Sequence, residues 1–240
     1  MSQKYPGGFI TKSPPALTGS AASGMWTLDQ AMQLQKQGLW PSPPLVIGQA
    51  YGGGYYAGQI GVSGVATHNI VVGPLSTSES TLAWKNAATA TAGADSVING
   101  PQNTADMVAD GNSTVYPCAH FCNDLSTGGQ TDWYMPAKNE VEVCYFNLKP
   151  TTTNNTTSSG INANAVPARA SSYTSGTPAQ TSATLFLVTT GAEAFSGNYW
   201  TSTEYSAFEA WKQGFSSGYQ YYGGYKTSAK KVRAIRRVAV

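Results

Sequence analysis

The spacing of apolar and polar residues changes character several times along the 240-residue chain. Thr27 is placed to cap a helix, Gln30 completes a capping box three residues on, and the run Leu28–Gln37 stops at Gly38. A helix of this length is marginal alone in water. From Leu45 the period shortens to that of strands. Leu45–Gln49 and Tyr55–Ile60 flank Gly52-Gly53-Gly54 and predict a hairpin, and Ile70-Val71-Val72 predicts another short strand. Residues 87–102 are small and polar and predict no element. Helical spacing returns in Cys118, Phe121, Cys122 and Leu125, then in Val141, Cys144, Tyr145 and Leu148 before Pro150. Residues 149–198 are rich in Thr, Asn, Ser and Pro around one apolar strand, Thr184–Val188, and a stretch of that kind is an expected functional or interface loop. Tyr199–Val240 predicts short strands joined at Gly218 and at Gly223-Gly224. The pattern predicts an α+β fold with two principal helices, short antiparallel strands and a long polar insertion. An extended arm over residues 1–44 precedes one domain over 45–240.

Composition narrows the function classes. Charged residues make up 11% of the chain, less than half of the roughly 25% usual in soluble domains. Polarity must therefore come from Ser, Thr, Asn, Gln, Tyr and the 26 glycines, which excludes a disordered polyelectrolyte. A net charge of +2 argues against a sequence-blind nucleic-acid binder. The apolar runs are too short for membrane insertion, and the opening MSQKYPGGF lacks the apolar core of a signal peptide. Three cysteines then suggest reduced thiols from cytoplasmic synthesis.

Candidate chemistry is sparse. The histidines are His68 and His120, and no Gly-x-Ser-x-Gly turn accompanies them. Cys118, Cys122 and Cys144 with His120 have the residue types of a zinc site, but they fall on the helical core stripes, where buried thiols behave as small hydrophobes. Gly52-x-Gly54-x-x-Ala57 leads into β-formers rather than a phosphate-binding helix. Asp106 and Asp110 near Asn112 offer oxygen ligands for calcium in a loop, without the carbohydrate-binding signatures of calcium-dependent lectins. No catalysis, metal or cofactor is expected.

Four motifs occur in order: Gly129 through Pro136, Tyr199 through Glu204, Ala210-Trp211 with Phe215 and Gly218, and Val232 through Arg236. Together with Ile47-Gly48 and Gly52-Gly53 they resemble the Lcl C-terminal domain family, named from a bacterial collagen-like adhesin and lectin-like (C-type) in fold. The resemblance covers about residues 45–240. It implies that Trp133, Met135 and Trp200 are core residues, that Asp132 accepts backbone N–H bonds, and that Trp211 and Phe215 point inward. The opening Ser23-Gly24-Met25-Trp26-Thr27-Leu28-Asp29-Gln30 and Trp40-Pro41 is similar to the first segments of structural proteins in marine tailed phages.

Binding is expected in the tyrosine-dense stretch 199–225, which holds six of the fourteen tyrosines. Rigid amphipathic rings among small polar residues are what paratopes use. The candidates for ligand contact are Tyr205, Phe208, Lys212, Tyr219, Tyr221 and Tyr222; the competing reading packs these rings against the insertion or a neighbouring subunit. Six of fourteen basic residues, Lys226, Lys230, Lys231, Arg233, Arg236 and Arg237, are read as a solvated last edge or as a site for anionic glycan or an acidic neighbour. In the arm, Phe9, Trp26, Leu34 and Trp40 are candidates for docking on another chain, or for strapping onto their own domain. The function expected is a non-enzymatic phage virion protein, a tail fibre or receptor-binding protein contacting host surface glycan or protein. The alternative is a capsid decoration protein. Its partners would be other virion proteins and further copies of itself, with no nucleic acid.

Overall fold

The computed structural model describes residues 27–37 and 44–240. The chain divides into two compact units, Met1–Leu45 and Val46–Val240. In the first, α1 (Leu28–Lys36) begins at the expected capping box: the Gln30 N–H donates to Thr27 Oγ1 at 3.2 Å, and the Thr27 N–H donates to Gln30 Oε1 at 3.0 Å. Asp29 in the first turn and Lys36 in the last complement the helix dipole. Leu28 and Met32 are exposed, and α1 buries no side chain. Leu34 is half-buried on it, while Phe9, Trp26 and Trp40 lie outside the described residues.

The second unit is α+β. It runs through β1 (Ala50–Tyr51), β2 (Gly54–Val62), β3 (Val65–Val72), the single turn α2 (Leu75–Ser78), β4 (Glu79–Ala83), α3 (Gly100–Asp110), α4 (Pro117–Asn123) and α5 (Lys138–Leu148). There follow β5 (Ala165–Val166), β6 (Asn198–Glu204), β7 (Glu209–Gly214), β8 (Gln220–Tyr225), β9 (Ala229–Arg233) and β10 (Ile235–Ala239). One sheet has the order β1-β2-β3-β10 with β5 on β2; the other has the order β4-β9-β6-β7-β8. Pairing is antiparallel except between β6 and β9. Two expectations shift. The first strand is not 45–49 but 50–51: Gly48, at a positive φ of 81°, bends the chain, and Gly48 and Gln49 bond the Tyr56 backbone outside the regular ladder. Within residues 87–102, read as forming no element, α3 begins at Gly100, capped by the Asn99 side chain on the Gln102 N–H with Pro101 in the first turn.

The two sheets are joined by one nearly continuous strand. β9 passes through buried Ala234 into β10, and Ala234 exchanges backbone bonds with Ser78 and Gly73 at the matching crossing between β3 and β4. Two apolar cores result. One gathers Ile70, Val141, Cys144, Tyr145, Phe186, Phe195, Tyr199 and Phe215; the other gathers Trp84, Met107, Tyr116, Cys118, Cys122, Trp133, Met135 and Trp200. The expected inward residues Trp133, Met135, Trp200 and Phe215 are all buried.

The insertion is not a loose loop. Its segment Thr184–Phe186 is a short 3-10 turn rather than a strand, and Phe186 is buried against Phe195 and Tyr55. The rest is fastened to α5 by buried polar side chains. Glu142 accepts hydrogen bonds from Asn162 at 2.6 Å and Tyr173 at 2.7 Å and pairs with Arg169. Asn155 accepts from Tyr145 Oη at 2.6 Å and donates to the carbonyls of Thr174, Ser175 and Pro178. A polar segment without regular structure needs such partners, since its buried backbone groups have no ladder to satisfy them.

The C-terminal cations are mostly paired rather than solvated. Arg233, 2% exposed, bonds Glu193 and the carbonyls of Gly73 and Glu193; Lys226, fully buried, pairs with Glu204. Lys231 meets Glu79 at 2.8 Å, Arg237 meets Glu140 at 2.8 Å, and Arg236 clasps Asp132 at 2.6 Å while donating to the Gly52 carbonyl. Asp132 thus serves an arginine side chain, not chiefly the turn backbone expected of it. Breaking a buried pair leaves an uncompensated charge, so Glu193→Gln is expected to cost about 3 kcal/mol in urea unfolding; a loss below about 0.5 kcal/mol would mean the pair is dispensable. The Arg236 hydrogen bonds hold the Asp132 carboxyl below the usual carboxylate range. A depressed folded pKa contributes stability above the unfolded value of about 4, which is lost as pH falls through the folded pKa. In thermal melts from about pH 6 down to about pH 2.5, Asp132→Asn should flatten the acid limb below about pH 4. An unaltered limb would contradict this linkage.

Candidate functional site

The tyrosine-dense stretch forms a surface feature on the free edge of the second sheet, where β8 has β7 on one side only. Tyr205 stacks on Tyr222 at 4.1 Å between ring centroids, Tyr222 on Tyr221 at 5.3 Å, and Tyr221 on Tyr219 at 5.3 Å. Trp211 meets Tyr205 and Tyr222 edge-on, each at 5.6 Å. Tyr205, Tyr219 and Tyr222 are 48%, 42% and 41% exposed, so the row faces solvent and is not sealed by the insertion. The insertion touches β8 at its first residue, where the Gln220 N–H donates to Ser159 Oγ at 3.0 Å.

Irregular pairing makes this row. Ala210 pairs with Gly224 and Lys212 with Tyr221, so β8 takes three steps where β7 takes two. On the other side Trp200 pairs with Lys212 and Glu204 with Ala210, so β6 takes four steps for the same two. Trp211 therefore has no register partner on either neighbour. The resemblance assigned it inward; it is half-buried, outside both apolar cores, among Tyr205, Tyr222 and the Lys138 ammonium, where the pairing on both sides is irregular. Gly223-Gly224 likewise lies within β8 and not in a turn. A side chain at Gly223 would collide with the Tyr221 ring, whose atoms lie 2.1–2.2 Å from an ideal Cβ there. The ring rests on that bare backbone. Gln213, across from Gln220, is buried with no partner for its amide among the described residues, at a typical cost of about 1–3 kcal/mol.

The bulged residues of β6 also place a cation that the sequence did not single out. Thr203 Oγ1 donates to the Ser96 carbonyl at 2.9 Å and accepts the Lys138 N–H at 3.0 Å, fixing the start of α5. Lys138 Nζ then lies 4.3 Å from the Trp211 ring centroid. Lys212 Nζ lies 5.0 Å from Tyr221, and Lys230 Nζ lies 4.9 Å from Trp200. Desolvation lowers the pKa of each of these three ammonium groups.

Of the expected contact residues, Tyr205, Lys212, Tyr219, Tyr221 and Tyr222 come together. Phe208 is exposed at the turn between β6 and β7 but stacks on none of them, and Tyr225, across from Glu209, is an exposed ring that the candidate set omitted. The row chemically offers more than area. A ring stacked between two others has its faces occupied, so Tyr221 and Tyr222 present edges and hydroxyls, and ring edges carry positive potential. With the lysines beside it, the row suits oxygen-rich, negatively polarised partners.

The other candidates have structural roles. His120 Nε2 is 2.7 Å from the Gly111 carbonyl and Nδ1 is 3.6 Å from Asp124. Cys118 and Cys122 are buried in one core and Cys144 in the other, and burial raises all three thiol pKa values. Asp106 and Asp110 sit on α3, not in a loop: Gln102 donates to Asp106 at 2.8 Å, and Tyr116 Oη donates to Asp110. Among the described residues no group of three or more His, Cys, Asp or Glu is placed to hold a metal ion. Concavities of about 490 Å³ beside α4 and about 310 Å³ beside residues 169–177 lie away from the row.

Comparison with known proteins places this arrangement. No curated protein matches the chain. Among solved structures, the crystal structure of a fimbrial protein from Bacteroides ovatus ATCC 8483 has a TM-score of 0.45 and 13% sequence identity, over 76% of this chain and 43% of that one. The comparisons lend no support to the phage resemblance of the arm. Residues 75–236, from α2 into β10 and including the whole tyrosine row, match the family model, and the chain belongs to the Lcl C-terminal domain family.

Proposed function

We propose that this chain is a non-enzymatic binding protein whose tyrosine row touches a host surface glycan or protein. The observation that carries the reading is the row itself: five aromatic side chains and adjoining lysines held on a sheet edge, exposed and built on a fixed register irregularity. Rigid rings on a rigid element lose little conformational entropy on contact, which suits them to recognition. The histidines and thiols that catalysis would draw on are bonded or buried in structural positions, which supports a binding role over an enzymatic one.

In this reading the protein is part of a phage virion, assembled in the host cytoplasm, with a tail-fibre or receptor-binding role. Residues 1–44 attach it to other virion proteins, probed by the exposed Leu28 and Met32 on α1. Homo-oligomers suit display of several rows at once, since linked sites gain avidity. Replacing Tyr219, Tyr221 and Tyr222 together by Ala is expected to abolish binding of the purified protein to host cells with little change in thermal stability. Gly223→Ala, which displaces the Tyr221 ring, should weaken binding by about tenfold, about 1.4 kcal/mol. Undiminished cell binding by both variants would remove the row from the mechanism. Deleting residues 1–44 should leave Val46–Val240 folded by circular dichroism but absent from purified particles, and continued incorporation would refute the arm's role.

A further inference from the structure

The row's charge and shape narrow the partner further. We infer that it docks on a protein surface rich in carboxylates, with Lys138, Lys212 and Lys230 as the charge-reading residues. The inference rests on the reading above and adds the class of partner.

Charge complementarity is the first argument. Seven Lys or Arg ion pairs with carboxylates are formed among the described residues, and five of the six cations from Lys226 to Arg237 take part. Lys138, Lys212 and Lys230 stand apart: among the described residues no carboxylate lies within 4.0 Å of any of their ammonium groups. Each lies instead against an aromatic ring of the second sheet, which favours a cation but leaves donors unfilled. Burial already disfavours their charge, so an arriving carboxylate meets cations that have shed part of their water and binds them more strongly than it would in bulk solvent. Glu209, at the start of β7 and across from Tyr225, marks the end of the row where like charge would repel such a partner.

Shape is the second. Recognition of single sugars and other small molecules favours concave sites that enclose the ligand. The row follows a sheet edge, and the concavities beside α4 and residues 169–177 contain none of its tyrosines. Stacking of a sugar ring needs a free aromatic face, and the inner rings Tyr221 and Tyr222 spend theirs on neighbours. Tyrosines and a tryptophan with dispersed lysines on an open face are the composition of a protein-binding surface. The bulge in β8 turns its edge away from regular strand pairing, so side chains rather than backbone make the contact.

The test uses the full chain with two defined probes, poly-L-glutamate and heparin, by calorimetric titration at physiological salt. ¹⁵N-labelled protein maps the contact. Poly-L-glutamate is expected to bind with shifts at Tyr205, Trp211, Lys212, Tyr219–Tyr222 and Lys230, and more tightly than heparin. Lys212→Glu with Lys230→Glu should weaken it at least about tenfold, Lys212→Gln with Lys230→Gln should weaken it less, and Lys36→Glu on α1 should leave it unchanged. Tighter binding of heparin at the same residues, or shifts spread over other surfaces, would overturn the inference. So would host-cell binding that needs the tyrosines but is indifferent to both lysine reversals, which would leave the broader reading standing. Cell binding indifferent to the tyrosines as well would instead fail that broader reading.

Discussion

The buried pair of Arg233 and Glu193 is the constraint on which the domain's architecture turns. Arg233 ends β9 just before the chain crosses from one sheet to the other, and its guanidinium bonds the Gly73 carbonyl at the return crossing. Glu193, near the end of the insertion, also accepts the Leu75 N–H at 2.7 Å. One ion pair thus locks three chain segments far apart in sequence. Desolvating two charges is expensive, and the arrangement is sustained only because backbone carbonyls and an amide fill the remaining valences. With Arg233 held, Phe186 and Phe195 close the apolar core beneath it, where its guanidinium carbon lies 4.7 Å from the Phe195 ring.

The same arrangement explains how a chain with so few charges stays folded. Among the described residues more than half of the cations and carboxylates pair with each other, among them Glu140, which caps the start of α5 and meets Arg237. Surface polarity then falls to hydroxyls and amides. Glu142 and Asn155 do for the insertion what ladders do for strands, converting fifty residues of Thr, Asn and Ser into an ordered layer on α5.

What was legible in the sequence follows period and local chemistry. The capping box at Thr27 and the stripes of α4 and α5 depend on near neighbours and stand where they were read; the burial of Trp133 and Trp200 came from the family resemblance, and the glycine hairpin is present with its first strand moved to Ala50–Tyr51. The failures depend on distant ones. α3 is nearly devoid of an apolar stripe, with Asn103, Thr104 and Met107 turned inward, so periodicity was silent; the start signals that could have found it, Asn99 as cap and Pro101 in the first turn, went unread. Trp211, which the resemblance placed inward, belongs to neither core, and irregular pairing on both sides leaves it without a register partner. The cations at the C-terminus read as a solvated edge because their partners, Glu79, Asp132, Glu140, Glu193 and Glu204, are scattered between residues 79 and 204. Lys138 escaped notice for the same reason: only the folded β6 bulge brings it over an indole.

Placing the tyrosine row on an outermost strand has an evolutionary consequence. Side chains there contribute little to either core, so exchanging one aromatic or hydroxyl residue for another leaves the protein's packing account nearly untouched. Such a margin can be rewritten repeatedly while the same scaffold is inherited unaltered.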